Sequence, residues 1–553
     1  MTPHERDALT GRLYLQRKTE LVGDERELYR RSIKTGLEEA KALSEKLQKA
    51  VSFAIAAGYQ LDKEAFDLLK ELPQTEDPIV LIEESIKRME HLSEKPLFIF
   101  RGFLEDVMKD LFQERKEAEP STLPITKAKK IFRPYAKDID ANIRVIDDPT
   151  DEICTAGSIE EYLEYFQDRF KKIQRFLRQR MDAKDATPIS QALRASINSK
   201  VKIIGMITEK REYKQTIFFR IEDLETSATV LVSGRANPEV MEKAQAILMD
   251  QVVCISTIKG RNDLLIAEDF IWPDIPQKTP NKASSSIYAA LISDLHVGSK
   301  MFMAKEFNRF VLWLKGKFGN GDLRKMAGHV KYVIIAGDLV DGIGVYPKQE
   351  EELAIRDIYE QYREVSRLLE QIPDYIEVII IPGNHDASRK ALPQPALPRN
   401  YAEPLHEARK IYSLGNPSTV NLHGLELLLY HGRSLDDLVA AVPNVSFQTP
   451  DKAMKLLLQC RHLAPIYGQR TPIAPEKRDF MVIERPPDIF HSGHVHIFKY
   501  NTYRGVLTVN SGAWQKQTEY QKTMGLNPTP GIVPIVSLQT LQVSPVSFAS
   551  PYA

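Results

Sequence analysis

Residues 287–298, with the sequence IYAALISDLHVG, place an aspartate and a histidine directly after an apolar run of strand length. Four further polar blocks downstream also follow apolar runs in the sequence. The apolar runs span 287–292, 332–336, 378–381, 425–430 and 489–490. The polar blocks are Asp294-Leu295-His296, Gly337-Asp338-Leu339-Val340-Asp341, Gly383-Asn384-His385-Asp386, His431-Gly432 and Gly493-His494-Val495-His496. Because open α/β sheets carry their active sites where strands end, these blocks are predicted to meet at one site.

The residue types in these blocks favour a divalent metal site. Residues two apart in an extended segment point to the same side, so Asp294 and His296 are expected to reach one ion, as are His494 and His496. A mixed set of Asp, Asn and His ligands suits manganese, iron or zinc better than calcium, and the lack of thiolates argues against a structural zinc. A single block is usually an ordinary loop, but five in a fixed order indicate a two-metal hydrolase. A sixth block, Asn510-Ser511-Gly512, has no role in this prediction.

The five blocks resemble the motifs DxH, GDxxD, GNHD, H and GHxH of the calcineurin-like metallophosphoesterase superfamily. Residues 195–535 more closely resemble one family within it, the small subunits of archaeal D-family DNA polymerases. The segments that carry this likeness are residues 382–386 (PGNHD), 391–395 (ALPQP), 430–437 (YHGRSLDD), 461–468 (RHLAPIYG) and 518–521 (TEYQ). The resemblance implies an oligonucleotide-binding (OB) domain followed by a phosphoesterase domain.

The same resemblance implies that seven side chains bind two divalent metal ions. The expected ligands of the first ion are Asp294, His296 and His496, those of the second are Asn384, His431 and His494, and Asp338 bridges the two. We expect Mn²⁺, with Mg²⁺, Fe²⁺ and Zn²⁺ as alternatives. Two such ions bind the phosphate oxygens, activate a water and stabilise the attacking and leaving oxygens of an in-line displacement.

The resemblance also implies two catalytic residues beside the ligands. His385 is expected to be the general acid that protonates the leaving 3′-oxygen, and Asp386 is expected to orient it. Loss of such an acid typically reduces the rate by about 10² to 10⁴-fold while the metal ions stay bound.

Two further residues, Asp341 and Arg433, are expected to bind substrate, and each has a structural alternative. In relatives the position of Asp341 helps to position the substrate or a metal ligand, but such a carboxylate also begins helices and turns. Arg433 matches phosphate geometry, or it pairs with Asp436 or Asp437. Four other histidines fit no ligand position and are expected to be packing or surface residues: His406, His423, His462 and His491.

The filled ligand positions, taken with the resemblance, imply a 3′-to-5′ exodeoxyribonuclease of the proofreading kind. The implied protein is the accessory subunit of a heterodimeric replicative DNA polymerase. Its expected partners are a large catalytic subunit and DNA, with a sliding clamp as a further candidate. The polar blocks alone indicate only phosphoester hydrolysis. Two alternatives stay open: a scaffold subunit that is inactive by itself, and a stand-alone phosphatase or phosphodiesterase.

Composition agrees with an intracellular protein of several domains. The 553 residues are 43% hydrophobic and have a net charge of zero, so composition by itself does not indicate a nucleic-acid binder. Cys154, Cys254 and Cys460 lie far apart, which favours a reducing compartment. No apolar stretch reaches the length of a membrane span, and residues 1–17 are too polar for a signal peptide. We therefore expect a cytoplasmic protein without a membrane segment.

The pattern along the chain predicts a multidomain α+β fold. Its parts are an N-terminal helical domain, a five-stranded OB-fold barrel and a C-terminal two-sheet α/β calcineurin-like phosphoesterase domain. The predicted boundaries are a helical interaction domain at 1–114, a partly disordered linker at 115–157, a basic amphipathic helix at 158–185, the OB-fold domain at 195–272, a linker at 273–286, the phosphoesterase at 287–540 and a tail at 541–553.

Short sequence motifs support two of these predicted parts, the basic helix at 158–185 and the OB-fold domain. Ser158 with Glu161 forms a capping box for the basic helix. The apolar stripe of this helix is expected to pack on a neighbour, while its basic residues, Arg169 among them, meet solvent. In the barrel, a helix is predicted to begin at Asn237-Pro238 between the third and fourth strands.

Three aromatic residues lie on the predicted barrel strands: Tyr213, Phe218 and Phe219. They are candidates for base stacking, but alternate residues of a barrel strand must fill its interior, so at least one is expected inside. The family resemblance implies that the barrel serves protein contacts rather than direct DNA binding.

Overall fold

The computed structural model describes residues 45–72, 77–90, 98–116, 132–523 and 525–549. The chain divides into two compact units, residues 1–129 and 130–553. None of the helices in the described stretches is both long and apolar enough to span a membrane. The predictions made for residues 1–44 and 117–131 lie outside the described residues.

The amino-terminal unit is helical in its described part. Its elements are α1 (Glu45–Ala56), β1 (Gln60–Leu61), α2 (Lys63–Glu71), α3 (Pro78–Glu90), β2 (Phe98–Ile99) and α4 (Arg101–Lys116), with β1 and β2 paired in parallel. Asp62 caps α2 by accepting a hydrogen bond from the backbone N–H of Ala65 at 2.6 Å. Apolar residues at helical spacing, including Leu47, Leu69 and Ile82, are buried together in one core.

One strand and two helices precede the barrel in the second unit. A short 3₁₀ turn (Tyr135–Asp138) leads to β3 (Ile143–Asp147), α5 (Ile159–Arg178) and α6 (Ile189–Arg194). Strand β3 pairs antiparallel with residues 419–422, so residues 143–147 form an edge strand within the segment predicted as a partly disordered linker. The charged Arg144 and Asp147 interrupt the apolar residues of this strand, so the sequence shows no continuous apolar run there.

Helix α5 begins with the predicted capping box. The Ser158 hydroxyl accepts a hydrogen bond from the Glu161 backbone N–H at 3.3 Å, and the Glu161 carboxylate accepts one from the Ser158 N–H at 2.9 Å. The apolar stripe of α5 packs on the barrel. The expectation that Arg169 meets solvent is wrong: the side chain is fully buried and forms an ion pair with Asp479 at 2.8 Å.

The next five strands close into a barrel. The elements are β4 (Lys200–Tyr213), β5 (Thr216–Glu222), β6 (Ser227–Val232), α7 (Pro238–Ala246), β7 (Val252–Lys259) and β8 (Leu264–Ile271). The strand order is β4-β5-β6-β8-β7, and β4 pairs with both β5 and β7. The five-stranded barrel is therefore confirmed, and α7 begins at the predicted Asn237 cap. Phe219 fills the interior, whereas Tyr213 and Phe218 remain exposed.

Within the described residues, eleven strands follow the barrel and, together with β3, form two six-stranded sheets. These eleven strands are β9 (Tyr288–Ile292), β10 (Val330–Ala336), β11 (Glu377–Ile381), β12 (Ile411–Ser413), β13 (Ser418–Leu422), β14 (Leu425–Leu429), β15 (Ile489–Ser492), β16 (Lys499–Tyr503), β17 (Val506–Asn510), β18 (Ile532–Ser537) and β19 (Val543–Ser547). One sheet has the order β12-β11-β10-β9-β18-β19 and the other β16-β17-β15-β14-β13-β3. Strands β9 to β12 run parallel, as do β14, β15 and β17. Because β19 pairs with β18, residues 543–547 of the predicted tail form an edge strand.

Helices pack on the outer faces of the two sheets. The helices of this region are α8 (Ala304–Leu314), α9 (Gly321–Ala327), α10 (Gln349–Glu352), α11 (Ile358–Glu370), α12 (Arg399–Ala408), α13 (Leu435–Ala441), α14 (Pro450–Cys460) and α15 (Glu519–Thr523). Between the sheets, Leu291 and Ile334 of one meet Leu427 and Val509 of the other. Alternate strand residues such as Ile335 turn outward and pack on α8 and α11. With both faces covered, β10 is buried at every residue.

Candidate metal centre

The polar blocks meet at the carboxyl ends of β9, β10, β11, β14 and β15. Parallel strands present these ends at the same edge of a sheet, which brings residues far apart in sequence together. The seven predicted ligands, named here the ligand cluster, are Asp294, His296, Asp338, Asn384, His431, His494 and His496.

Five residues of the ligand cluster have left-handed backbone conformations. Their φ angles are 53° at Asp294, 52° at His296, 54° at Asp338, 72° at His494 and 60° at His496. These residues lie beyond the strand ends, so the loop conformation, and not the predicted strand alternation, aims the side chains. Such conformations are uncommon in residues other than glycine and concentrate at functional sites.

Two glycines in the polar blocks let the backbone pass close to the carboxylates of the ligand cluster. An added β-carbon at Gly383 would collide with the Asp338 carboxylate, and one at Gly493 would lie 2.6 Å from Asp294 Oδ2. Only glycine leaves room for both carboxylates at these points.

The first expected metal site brings three ligand atoms together. His296 Nε2 and His496 Nε2 lie 3.0 Å apart. Asp294 Oδ1 lies 3.4 Å from His496 Nε2 and 3.9 Å from His296 Nε2. The nitrogen and oxygen atoms therefore converge as the ligands of one cation would.

The second expected metal site shares Asp338 with the first. Asp338 Oδ2 lies 3.3 Å from His431 Nε2 and 3.7 Å from His296 Nε2, so it faces both groups. His431 Nε2 also lies 3.0 Å from Asn384 Oδ1. The fourth expected ligand, His494, packs its ring 5.2 Å from the His431 ring, with its Nε2 3.2 Å from Asp436 Oδ1. Asp436 is thus an additional carboxylate at this site.

Three of the four ligand histidines are held at their Nδ1 atoms. His296 Nδ1 lies 3.0 Å from Asp341 Oδ1, and His431 Nδ1 lies 2.8 Å from the carbonyl oxygen of Ala336. Both rings can donate Nδ1–H to these oxygen atoms, which leaves Nε2 facing the cluster, as is common among metal-binding histidines. His496 differs, because its Nδ1 accepts a hydrogen bond from the Gln521 side-chain amide at 2.8 Å.

A chain of hydroxyl groups fixes Asp294. The Ser293 hydroxyl donates to Asp294 Oδ2, and the Ser511 hydroxyl donates to Ser293 Oγ at 2.8 Å. Ser511 Oγ lies 3.0 Å from Nε2 of the buried His491. The sixth sequence block therefore supports a ligand, although no sequence signal linked Ser511 to Asp294.

The ligand cluster carries buried negative charge. Asp294 and Asp338 are 0% and 1% exposed, and among the described residues only histidines lie within ion-pair distance of them. Burial alone would raise the pKa of Asp338, but the neighbouring His431 and His385 hold it well below its usual range. Burial would lower the pKa of His431, but the Asp338 carboxylate raises it to about 9. Because buried carboxylates are normally paired or bound to metal, this set of donors fits divalent cations.

His385 lies beside the ligand cluster with one ring nitrogen free. Its Nδ1 lies 2.7 Å from the carbonyl oxygen of Asp341, which requires Nδ1–H as the donor and leaves Nε2 available. The Asp386 carboxylate accepts hydrogen bonds from the backbone N–H groups of Gly383 at 2.8 Å and Leu339 at 3.1 Å. Asp386 thus fixes two loops of the site, which differs from its predicted role of orienting the His385 ring.

Asp341 is fully buried and orients a ligand. Its Oδ1 lies 3.0 Å from His296 Nδ1 and accepts a hydrogen bond from Gln515 Nε2 at 3.0 Å, while Oδ2 accepts one from Gln349 Nε2 at 3.1 Å. The carboxylate has no face open to a substrate. Of the roles predicted for it, positioning a metal ligand fits and direct substrate binding does not.

An open cavity of about 200 Å³ lies over the ligand cluster. Arg433 lines it, as predicted for a residue that holds a phosphate. Within the described residues Arg433 makes no ion pair with Asp436 or Asp437: Asp436 faces His494, and Asp437 accepts a hydrogen bond from the Arg470 N–H at 2.9 Å. Arg470 lines the same cavity and was not singled out by the sequence.

The four histidines predicted to be packing or surface residues lie apart from the ligand atoms. His462 and His491 are buried, His423 is half-buried and His406 is exposed. His462 Nε2 lies 2.8 Å from Asp479 Oδ2, in a second cluster of buried charges.

The chain is similar to a known family of proteins over most of its length. A family model that describes the B subunit of DNA polymerases alpha and epsilon matches residues 289–498. The DNA polymerase II small subunit of Methanocaldococcus jannaschii is 43% identical over 408 residues, which cover 73% of this chain and 68% of that one. The corresponding subunit of Archaeoglobus fulgidus is 38% identical over 483 residues, which cover 87% and 94%.

Among solved structures, an archaeal phosphodiesterase matches 47% of this chain and 99% of its own at 14% identity. Its TM-score of 0.24 is too low to support an argument about this chain.

Proposed function

Because the chain belongs to the family of DNA polymerase II small subunits, we propose that it is the accessory and proofreading subunit of a heterodimeric DNA polymerase. In this proposal the ligand cluster is the active site of a two-metal 3′-to-5′ exonuclease, carried by a calcineurin-like phosphoesterase domain at residues 287–540 behind an OB-fold domain at 195–272. The observation that carries the proposal is the position of Asp338, whose carboxylate faces both His296 and His431.

The donor set supports two divalent ions rather than one. Asp294, His296 and His496 would hold one ion, Asn384, His431 and His494 would hold the other, and Asp338 would bridge them. Mn²⁺ is the expected metal, with Mg²⁺, Fe²⁺ and Zn²⁺ as alternatives. When bound, such a pair of ions polarises a phosphodiester and supplies a nucleophilic oxygen at neutral pH.

His385 is proposed as the proton donor to the leaving 3′-oxygen. Its Nδ1–H is committed to the Asp341 carbonyl, so the proton is transferred from Nε2. Burial lowers the pKa of His385 to about 4, and an anionic phosphodiester beside the ring would favour the protonated form that a general acid requires.

Arg433 and Arg470 are proposed to bind the DNA backbone. Both line the cavity over the ligand cluster, and a guanidinium group matches the geometry of a phosphate. Their charges are local, which is compatible with a chain whose net charge is zero, because phosphate affinity depends on cations placed along the path of the strand.

The proposal is tested by release of nucleotides from a primer with a mismatched 3′ end, using the full chain and Mn²⁺, alone and with the large subunit. We expect cleavage from the 3′ end, reduced by about 10² to 10⁴-fold in His385→Ala. His406→Ala is the matched control, because this exposed histidine lies outside the cluster and its replacement should leave the rate unchanged.

Two outcomes would contradict the proposal. If no DNA is cleaved even with the large subunit present, although metal is bound, the chain is an inactive scaffold subunit. If a small chromogenic phosphoester is hydrolysed rapidly while DNA ends stay intact, the chain is a phosphatase or phosphodiesterase of small molecules.

A further inference from the structure

Two tyrosines form a stacked pair in the wall of the cavity over the ligand cluster. The rings of Tyr346 and Tyr520 have centroids 5.4 Å apart and an interplanar angle of 26°. Both line the cavity that also contains His385, and the centroids of the Tyr346 and His385 rings lie 6.2 Å apart. The pair therefore begins next to the proposed proton donor and extends away from it.

The structure holds this pair in place without burying it. The Tyr346 hydroxyl donates to Glu352 Oε2 at 2.7 Å. Tyr520 lies on α15 directly before Gln521, which contacts the ligand His496. Tyr520 nevertheless remains 48% exposed. A large ring that is fixed on one face and open on the other is suited to stack against a planar ligand.

We propose that Tyr520, supported by Tyr346, is a binding subsite for the unpaired base of the nucleotide at a DNA 3′ end. This inference rests on the proposed exonuclease function. A nucleobase is the planar part of a nucleic-acid substrate, and stacking on an aromatic ring tolerates any base sequence. The phosphate of the same nucleotide would face the ligand cluster and Arg433, which line the same cavity.

The subsite selects an unpaired end. In a duplex, the terminal base is stacked on its neighbour and hydrogen-bonded to its partner, so it must leave both to reach Tyr520. A mismatched base leaves at a lower free-energy cost than a paired one. Because a mismatched terminal base reaches Tyr520 more readily than a paired one, stacking on Tyr520 would favour removal of the mismatched nucleotide.

The test measures base stacking directly. A single-stranded oligonucleotide with 2-aminopurine at its 3′ end is bound to the full-length His385→Ala chain with Mn²⁺, so that cleavage is blocked. We expect the fluorescence to be quenched when the oligonucleotide binds the His385→Ala parent. The quenching should be lost in the double variant that also contains Tyr520→Ala. Tyr520→Ala should also weaken binding by about 10-fold, within the range found for removal of a base-stacking aromatic residue. Tyr520→Phe keeps the ring and should behave like the parent.

Two comparisons separate stacking from a general effect on the fold. An oligonucleotide with an abasic 3′-terminal nucleotide should bind Tyr520→Ala and the parent equally. Tyr500→Ala is the matched control variant, because Tyr500 is also 48% exposed and stacked, at 5.8 Å on Phe498, but does not line the cavity.

The subsite is overturned if the parent shows no quenching, or if Tyr520→Ala weakens base-bearing and abasic ends alike. Absence of nuclease activity in the wild-type chain would contradict the proposed function, while the fluorescence result would still decide whether the base stacks on Tyr520.

Discussion

Two buried clusters in the carboxyl-terminal unit each contain an aspartate in contact with a histidine, and they differ in where the balancing positive charge comes from. In the first, the ligand cluster, Asp338 faces His431 at 3.3 Å. In the second, Asp479 Oδ2 lies 2.8 Å from His462 Nε2 and accepts a hydrogen bond from Arg169 Nε at 2.8 Å. We refer to Arg169, Asp479 and His462 as the arginine cluster.

The arginine cluster is complete within the chain. Besides Asp479, the Arg169 guanidinium donates to the Tyr165 hydroxyl at 2.7 Å and to the carbonyl oxygen of Pro465 at 2.9 Å. Burial alone would raise the pKa of Asp479, but His462 and Arg169 hold it well below its usual range. Charge and hydrogen bonds are thus satisfied by side chains and backbone, as a structural ion pair requires.

The ligand cluster has histidines and an amide where the arginine cluster has a guanidinium. An imidazole or an amide carries no permanent charge, and an unprotonated imidazole nitrogen or an amide oxygen offers a lone pair. A buried carboxylate surrounded in this way is balanced by a proton on His431 or by a bound cation. We therefore expect the source of the balancing charge to distinguish a structural aspartate, such as Asp479, from one that binds a metal ion, as proposed for Asp338.

Replacing Asp338 tests whether the ligand cluster acts through bound metal ions, and it has the largest expected effect. Asp338→Asn removes the charge shared by the two ions, so we expect a loss of nuclease activity of at least about 10³-fold. The asparagine can still accept the hydrogen bond that Asp338 Oδ1 receives from the His385 N–H at 2.8 Å. The fold should therefore stay intact, as measured by thermal unfolding in the presence of a chelator.

A second readout of the same variant addresses charge balance. Without metal, Asp338→Asn should lower the unfolding temperature only slightly, because the site then loses only the pairing of the Asp338 carboxylate with a protonated His431. With Mn²⁺ at about 100 times its Kd, the wild type should gain about 2.7 kcal/mol, and the variant much less. A variant that is strongly destabilised in chelator would show that Asp338 has a structural role like that of Asp479.

Replacing Asp479 should have the opposite effects: a large loss of stability and almost no loss of nuclease activity. Asp479→Asn leaves the Arg169 charge buried without a partner, which we expect to lower the free energy of unfolding by about 3–5 kcal/mol. Nuclease activity per folded molecule, measured well below the unfolding temperature, should change by less than about twofold because the arginine cluster contains no ligand. Urea or thermal unfolding of the full chain measures the loss.

The control is the ion pair of Arg180 with Asp182, which has a similar distance of 2.7 Å but an Asp182 side chain that is 52% exposed. Asp182→Asn should cost no more than about 1 kcal/mol. If Asp479→Asn proved equally mild, burial of the Arg169 charge would not be the reason for the difference between the two clusters.

Local features of both regions could be predicted from the sequence. The capping box at Ser158 and the helix start at Asn237 were correct because each depends on residues only a few positions apart. The five barrel strands, Thr216–Glu222 among them, lie within the region 195–272 that was predicted to form the OB-fold domain. The polar blocks came together because strand ends are marked by where apolar runs stop.

Features that depend on distant partners could not be predicted. Arg169 has the spacing of a solvent-facing residue, and its burial depends on Asp479, 310 positions away. The edge strand β3 is defined by pairing with β13 rather than by its own five residues. Asp386 adjoins His385 in sequence, yet its carboxylate binds the backbone of Leu339. In each case the decisive contact is tertiary, and a local pattern carries no information about it.

Ser511 is the clearest such case. Its replacement has the smallest expected effect, and it tests how the orientation of a ligand affects metal affinity. Its hydroxyl reaches Asp294 through Ser293, 218 positions away, and has no counterpart in the arginine cluster. Ser511→Ala keeps every ligand and every charge but loosens the Asp294 carboxylate. We expect a loss of about 10-fold in apparent Mn²⁺ affinity, the lower end of the effects seen when groups that orient metal ligands are removed.

A Mn²⁺ titration of nuclease activity, repeated by thermal shift, measures this affinity. Ser418→Ala is the matched control, because the buried Ser418 hydroxyl donates to the Gly415 carbonyl at 2.6 Å and contacts no ligand. If both serine variants bound Mn²⁺ like the wild type, the hydroxyl chain would be part of the packing only. If Ser511→Ala alone weakened binding, with its stability in chelator unchanged, the orientation of a carboxylate would be shown to matter for metal affinity separately from its charge.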